Sequence, residues 1–237
     1  MTLFKKNVAT LAMGAALLVS AQANAAEDLT LKVSGTIMPA ACTPTLSNSG
    51  EISFGSIAAS SVRKPASGST LAQLGAKDMT LTVKCDASTA LGFKMMDNRA
   101  GTAVALSSTA YINSPFTNGP NVSQSVYGFG LGVAVDDAKI GAYTVGVTDQ
   151  GLTADGQAAS LIGSADEGKS WQKVVGGYQT TNNELIFTVS ALGTSEPKLF
   201  QEMSMPLGIG AAVDPNAVLG AEEVILNGNA TLSLVYL

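Results

Sequence analysis

The sequence predicts an all-β sandwich, and three observations favour this fold class. Apolar residues alternate with polar ones along most of the chain, which is the pattern of half-buried strands. Only 13% of the 237 residues are charged, 25 are glycine, and serine and threonine abound, which suits β-structure better than helices rich in Glu and Lys. Loops rich in turn-forming residues separate the alternating segments, as in a sandwich of short strands.

The alternating segments define the predicted strands, at residues 29–37, 52–57, 79–85, 91–95, 127–135, 143–147, 184–191 and 230–236. In residues 127–135 the odd positions are bulky and the even ones are glycine or alanine, so a bare face leaves room for another backbone. Predicted loops occupy residues 63–68, 113–121 and 149–168. No segment of ten or more residues has clean helical periodicity, although residues 215–223 could form a turn or two of helix.

The first 25 residues have the features of a secretory signal peptide. Lys5 and Lys6 precede an apolar run at residues 8–19, and the tripeptide 23–25 (Ala-Asn-Ala) follows. The alternative, a membrane anchor, needs about 20 apolar residues, which is more than this run provides. We expect cleavage between Ala25 and Ala26, leaving an exported chain of 212 residues with an extension at 26–41 and one β domain at 42–237.

Composition argues against several functions. After cleavage, 11 basic and 18 acidic residues remain, a net charge of −7, which disfavours nucleic acid because phosphate contacts dominate that affinity. The chain has no histidine, so the usual general base and the commonest metal ligand are missing. The adjacent pairs Asp136/Asp137 and Glu222/Glu223 would point to opposite faces of a strand, so glycosidase chemistry is disfavoured. We therefore expect no catalysis, no cofactor and no metal.

Cys42 and Cys85 are the only cysteines, and an even count in an exported protein indicates a disulfide. Two free thiols or half of a metal site are the alternatives, and the absence of histidine disfavours the metal site. The disulfide would close a loop of 44 residues, which stabilises a fold by about 4 kcal/mol in the chain-entropy model.

The segment directly after the predicted cleavage site is unusually apolar. Leu29, Leu31, Val33, Gly35 and Ile37 share one face if the segment is extended. A free terminus is ordinarily polar and frayed, so this one is expected to pair with something. It is either the first strand of its own domain or a donor strand that completes a neighbouring subunit.

Four stretches resemble the type 1 and P-type pilins of chaperone–usher fimbriae. They are residues 35–42 (GTIMPAAC), 52–57 (ISFGSI), 79–85 (MTLTVKC) and 231–237 (TLSLVYL), in the pilin order and at both ends of the chain. The chain departs from the family in two ways. The mature chain is longer than a usual single-domain pilin, and Gly220 and Gly228 both match the glycine that precedes the terminal strand of pilins.

The resemblance implies an immunoglobulin-like sandwich that lacks its last strand. A periplasmic chaperone would lend a strand, and at the outer-membrane usher the extension of the next identical or related subunit would replace it. Leu29, Leu31, Val33 and Ile37 would fill pockets in the neighbour, and Gly35 would pass a shallow one. The subunit's own groove and the chaperone-binding strand would comprise Leu232, Leu234, Tyr236 and the terminal carboxylate of Leu237.

The implied product is a structural subunit exported through the periplasm to a surface fimbria that supports cell adhesion. The alternative is a minor or tip-proximal subunit that binds a glycan. Trp171 and Tyr178 lie in a polar region and could stack on a sugar, although a lone Trp more often belongs to a core.

Overall fold

The computed structural model describes residues 30–38, 40–63, 65, 68–219 and 223–237. The chain divides into two units, one ending at Met38 and one beginning at Pro39. The second unit contains two antiparallel sheets with an apolar core between them, so the prediction of an all-β sandwich is confirmed. The predicted signal peptide with its cleavage site at Ala25 and Ala26, and Leu29 of the donor segment, lie outside the described residues.

The larger sheet, sheet A, has five strands in its main order. They are β1 (Cys42–Leu46), β2 (Ala72–Thr89), β12 (Phe200–Val213), β5 (Gly141–Thr148) and β10 (Gly176–Tyr178). Three two-residue strands attach to this order: β4 (Phe129–Gly130) pairs with β5, β6 (Thr153–Ala154) pairs with β12, and β7 (Gln157–Ala158) pairs with β6.

The smaller sheet, sheet B, completes the sandwich. Its order is β13 (Ala230–Tyr236), β3 (Leu91–Asp97), β11 (Ile186–Ser190), β8 (Ser160–Ser164) and β9 (Gln172–Val174). The main core lies between the two sheets and includes Leu81 and Met205 of sheet A and Phe93 and Phe187 of sheet B, all almost fully buried. The rings of Phe93 and Phe187 lie 6.4 Å apart.

Helical structure is limited to short pieces. The α-helices are α1 (Ala59–Val62) and α2 (Pro215–Val218), and single 3-10 turns lie at Ser47–Gly50, Ala100–Thr102 and Ser125–Tyr127. Helix α2, within the predicted 215–223 segment, begins at a proline, and Asp214 caps it by accepting a hydrogen bond from the Asn216 amide at 2.9 Å. Within the described ranges, no helix is long and apolar enough to cross a membrane.

The predicted strands at 79–85, 91–95, 143–147 and 230–236 are confirmed within β2, β3, β5 and β13, and the strand predicted at 184–191 is confirmed over its central five residues as β11. The strand predicted at 52–57 is wrong, because Gly55 adopts a φ of +69° and the segment is irregular. The strand predicted at 127–135 is reduced to β4, because Gly132 has a φ of +97°. Gly130 does face a neighbouring backbone, the Arg99 carbonyl, as its bare face predicted.

Other differences concern strands that the sequence did not predict, among them β1, β9 and β10. Strands β6, β7 and β8 lie inside the predicted loop at 149–168, and β12 was missed altogether. The predicted loop at 113–121 is confirmed as irregular and lies against the outer face of sheet A. There Phe116 contacts Gly146 of β5 and Gly208 of β12, where any side chain would collide with its ring.

Candidate strand-binding groove

Strand β13 is an edge strand. It pairs along its whole length with β3, from Ala230 opposite Asp97 to Tyr236 opposite Leu91. The Leu237 amide continues this ladder by donating to the Ala90 carbonyl at 3.1 Å. Among the described residues, no strand pairs with the other side of β13, so one row of backbone donors and acceptors stays open there.

The side chains of β13 are only partly covered. Leu232 and Leu234 are half-buried and pack against the main core from the edge of sheet B. Tyr236 and Leu237 are 49% and 44% exposed. The four residues predicted as the groove and chaperone-binding strand therefore lie in or directly after the edge strand of sheet B, two of them half-buried against the core and two about half exposed.

The same row of side chains continues upstream of β13. Val224 and Leu226, two residues apart, are half-buried against a second core cluster, and Ala230 is half-buried against the main core. Gly228 interrupts the row because a side chain there would collide with the ring of Tyr143. Gly228 thus has a definite structural role before the terminal strand, whereas Gly220 lies outside the described residues.

A second open edge belongs to sheet A. Strand β1 pairs with β2 in a register that places Cys42 opposite Cys85, and the two form a disulfide, which confirms the prediction. Backbone contacts extend this pairing, because the Ala41 amide donates to the Asp86 carboxylate at 2.9 Å and the Asp86 amide donates to the Ala41 carbonyl at 3.0 Å. No strand of the described body pairs with the outer side of β1.

Half-buried apolar side chains also occur at the end of β1 and shortly after it. Leu46 at the end of β1, and Ile52 and Phe54 in the segment that follows, pack against the same core as Leu232 and Leu234. Sequence reasoning assigned 52–57 to a strand and missed this role. We name these five residues, Leu46, Ile52, Phe54, Leu232 and Leu234, the open side of the sandwich. An extended chain laid along it would meet unpaired backbone at a sheet edge and apolar contacts below.

The N-terminal segment has the complementary properties. Residues 30–38 form neither helix nor strand, and the side chains of Leu31, Val33 and Ile37 are 88%, 87% and 100% exposed. A Cβ built on Gly35 would have no heavy atom within 4 Å. Isolated apolar side chains on a surface need no explanation, but these three recur at odd positions of one short segment.

Asp136 and Asp137 form a turn, in which Asp136 accepts from the Ala138 amide at 3.2 Å and Asp137 has a φ of +61°. Glu222 lies outside the described residues. No group of three or more acidic or cysteine side chains in the described parts of the chain could hold a metal ion.

The two candidate sugar-stacking residues both use their polar groups internally. The Trp171 indole donates to the Gly168 carbonyl at 3.1 Å, and the Tyr178 hydroxyl donates to the Pro120 carbonyl at 2.6 Å. Tyr178 belongs to β10 rather than to a loop, and its half-buried position raises the pKa of its hydroxyl. Both rings are therefore held in fixed orientations.

Asp97, which lies opposite Ala230, is a polar core residue that the sequence did not indicate. Its carboxylate is 6% exposed and accepts hydrogen bonds from the amides of Arg99 and Gly130, each at 2.8 Å. These bonds tie the end of β3 to β4 beside the start of β13. Burial raises the pKa of the nearby Tyr143 hydroxyl, and the negative charge of Asp97 raises it further.

Comparison with known proteins relates the chain to proteins of Escherichia coli strain K12. It is 32% identical to Protein GltF over 252 aligned positions that cover 99% of each chain. It is 27% identical to Uncharacterized protein YhcF, with 98% of this chain and 99% of YhcF covered. Residues 31–144, which run from the N-terminal segment into β5, match a family model described as a protein of unknown function, DUF1120. The chain therefore belongs to the same family as Protein GltF.

Proposed function

We propose that this protein is a structural subunit of a chaperone–usher surface fibre, polymerised by donor-strand exchange. The observation that carries the proposal is that one chain contains both an unfilled apolar groove and an exposed apolar segment suited to fill such a groove. The open side leaves five apolar side chains half-buried between two unpaired edges, and the segment at 30–38 leaves three apolar side chains almost fully exposed. The pilin-like residues at both ends of the chain support the same proposal.

The energetics favour filling such a groove. Full burial of Leu29, Leu31, Val33 and Ile37 stabilises a complex by roughly 6–12 kcal/mol, an upper bound because a free tail already buries some of its surface. Backbone hydrogen bonds along a sheet edge add affinity, and pockets for alternate side chains set the register. Exchange of one strand for a better-fitting one needs no nucleotide and no covalent chemistry, so the proposed protein is not an enzyme and uses no cofactor.

In this proposal the chaperone and the next subunit bind in turn at the same edge strand, β13. A periplasmic chaperone would pair with β13, where Leu232 and Leu234 face the groove and Tyr236 and the Leu237 carboxylate are accessible. At the outer-membrane usher, the N-terminal segment of the next subunit would replace the chaperone strand. The assembled fibre would lie at the cell surface and contribute to adhesion.

The proposal is tested by deleting residues 27–38, which retains the predicted cleavage site, and co-expressing the variant with the chaperone and usher of its own cells. We expect the variant to co-purify with the chaperone and to form no fibres, because it keeps the acceptor and lacks the donor. The matched control is the double variant Lys32→Ala/Ser34→Ala, which alters the other face of the segment and should assemble normally. Heat-resistant fibres from the deletion variant would refute the donor assignment.

A further inference from the structure

A second site lies at the opposite edges of the two sheets. Strands β9 and β10, the last strands of sheets B and A, flank a cavity of about 430 Å³. This volume is within the range of about 300–1,000 Å³ typical of small-molecule sites. The residues that line the cavity include none from β1 or β13.

The floor of this cavity is apolar. The partly buried side chains of Val174 and Leu185 line it, and the buried ring of Phe187 lies beneath. Gly163 and Gly177 pack directly against that ring, since a Cβ at either position would lie 3.1–3.2 Å from it. A larger residue at either position would therefore press on the core.

The wall of the cavity is aromatic and rigid. Tyr127 and Tyr178 line it with ring centroids 6.1 Å apart and planes tilted by 48°. The Tyr178 hydroxyl is held by the Pro120 carbonyl and by the Ser114 hydroxyl, at 2.6 and 2.9 Å, so the ring has little freedom to turn. Rigid tyrosine rings offer a large contact area at a small cost in entropy.

The rim of the cavity is polar and carries one negative charge. Asp166 accepts hydrogen bonds from the hydroxyls of Ser164 and Ser170 at 2.7 and 2.6 Å and from the Ser170 amide at 2.9 Å. Gln172, which is exposed, also lines the cavity. The rim thus presents a fixed carboxylate, a hydroxyl and an amide, which together can accept and donate hydrogen bonds.

We propose that this cavity binds the pyranose ring of a neutral sugar. Such a ring has a face of C–H groups that suits the tyrosine wall and the apolar floor of Val174 and Leu185, and a periphery of hydroxyls that suits Asp166, Ser170 and Gln172. An anionic ligand is disfavoured because the only charged side chain lining the cavity is acidic. A fibre subunit with this site would carry a glycan-binding function along the fibre shaft, although the site does not depend on fibre assembly.

The test is saturation-transfer NMR on the full mature chain, alone or in its chaperone complex, with methyl glycosides of mannose, galactose and N-acetylglucosamine as probes. We expect transfer to at least one sugar, strongest at ring C–H protons. Gln172→Ala should weaken binding by about two- to tenfold, as expected for one lost hydrogen bond. Tyr127→Ala should weaken it further, because it removes half of the aromatic wall.

The matched control is Gln157→Ala, an exposed glutamine on β7 that does not line the cavity, and it should leave binding unchanged. A retained disulfide and an unchanged circular dichroism spectrum establish that each variant is folded. Absence of transfer to every sugar at millimolar concentration would overturn the inference. So would binding that persists in folded Gln172→Ala and Tyr127→Ala variants, or binding of tetramethylammonium in place of sugars, which would indicate a cation site.

Discussion

Strands β11 and β13 belong to the same sheet and have similar apolar alternation, yet they differ completely in burial. All five residues of β11 are buried, whereas no residue of β13 is. Strand β11 lies between β3 and β8, and β13 pairs with β3 alone. The difference teaches that an apolar pattern predicts a strand, whereas burial depends on having a neighbour on each side.

The largest expected effect is at the fully enclosed strand. Phe187→Ala in β11 removes a ring that is 1% exposed and packs near Phe93. We expect the free energy of unfolding to fall by about 3–5 kcal/mol, whether or not a donor strand is bound. Denaturant unfolding measures this change. Leu192→Ala, at a leucine that is 67% exposed, is the control and should change stability very little.

The disulfide should have a nearly comparable effect, since it anchors β1 and with it one edge of the open side. The double variant Cys42→Ser/Cys85→Ser removes a cross-link between residues 43 positions apart. We expect the free energy of unfolding to fall by about 4 kcal/mol. Thermal unfolding with and without reductant checks this value in the unmodified chain. A midpoint that reductant does not change, despite free thiols by mass analysis, would show that β1 is held by its strand pairing alone.

Replacement of Leu234 in β13 should have an effect that depends on the partner strand. In the free subunit Leu234→Ala removes a half-buried side chain and should cost about 1 kcal/mol. With the donor peptide bound, the same change removes a fully enclosed one and should cost about 2–4 kcal/mol. Val235→Ala, on the opposite face of β13, is the control and should cost the same in both states. Equal costs for Leu234→Ala in both states would mean that no strand covers it.

The smallest expected effect concerns pH and the loop after β8. Hydrogen bonds from Ser170 and Ser164 lower the pKa of Asp166 to about 2, below its ordinary value of 3.8. A carboxyl with a lowered folded-state pKa contributes stability that is present above its unfolded pKa and is lost as the pH falls through the folded pKa. Asp166→Asn should therefore remove a small part of the acid sensitivity between about pH 4 and pH 2. Carboxyl NMR titration of Asp166 is the direct check, and a midpoint near 3.8 would contradict the structure.

Sequence alone predicted the strands whose alternation is simple, including β3, β5, β11 and β13. It missed β12 because Pro206, Gly208 and Gly210 resemble strand breakers. In the structure Gly208 lies beneath Pro115 and Phe116, and Gly210 lies against the Asn113 carbonyl. These residues are small because another segment covers them, which is information that only the tertiary structure holds.

Sequence alone predicted one of the two edges of the candidate groove. The terminal strand with Leu232 and Leu234 was identified from its alternation, and the disulfide from the cysteine count. The edge near β1 was not predicted. Ile52 and Phe54 lie in an irregular segment, and only the tertiary structure shows that their side chains pack against the core. The cavity beside β9 and β10 brings together residues from several distant elements, and no local pattern indicates such a site.

The central claim is that the open side accepts the chain's own N-terminal segment from another subunit. The most direct measurement is the thermal unfolding of a chain that lacks residues 26–38, with and without a synthetic peptide of residues 26–38. At a peptide concentration about 100-fold above its dissociation constant, we expect the midpoint to rise by about 5–10 °C. A peptide with serine at Leu31, Val33 and Ile37 should produce no rise. Stable, cooperative unfolding of the truncated chain that neither peptide changes would contradict the account.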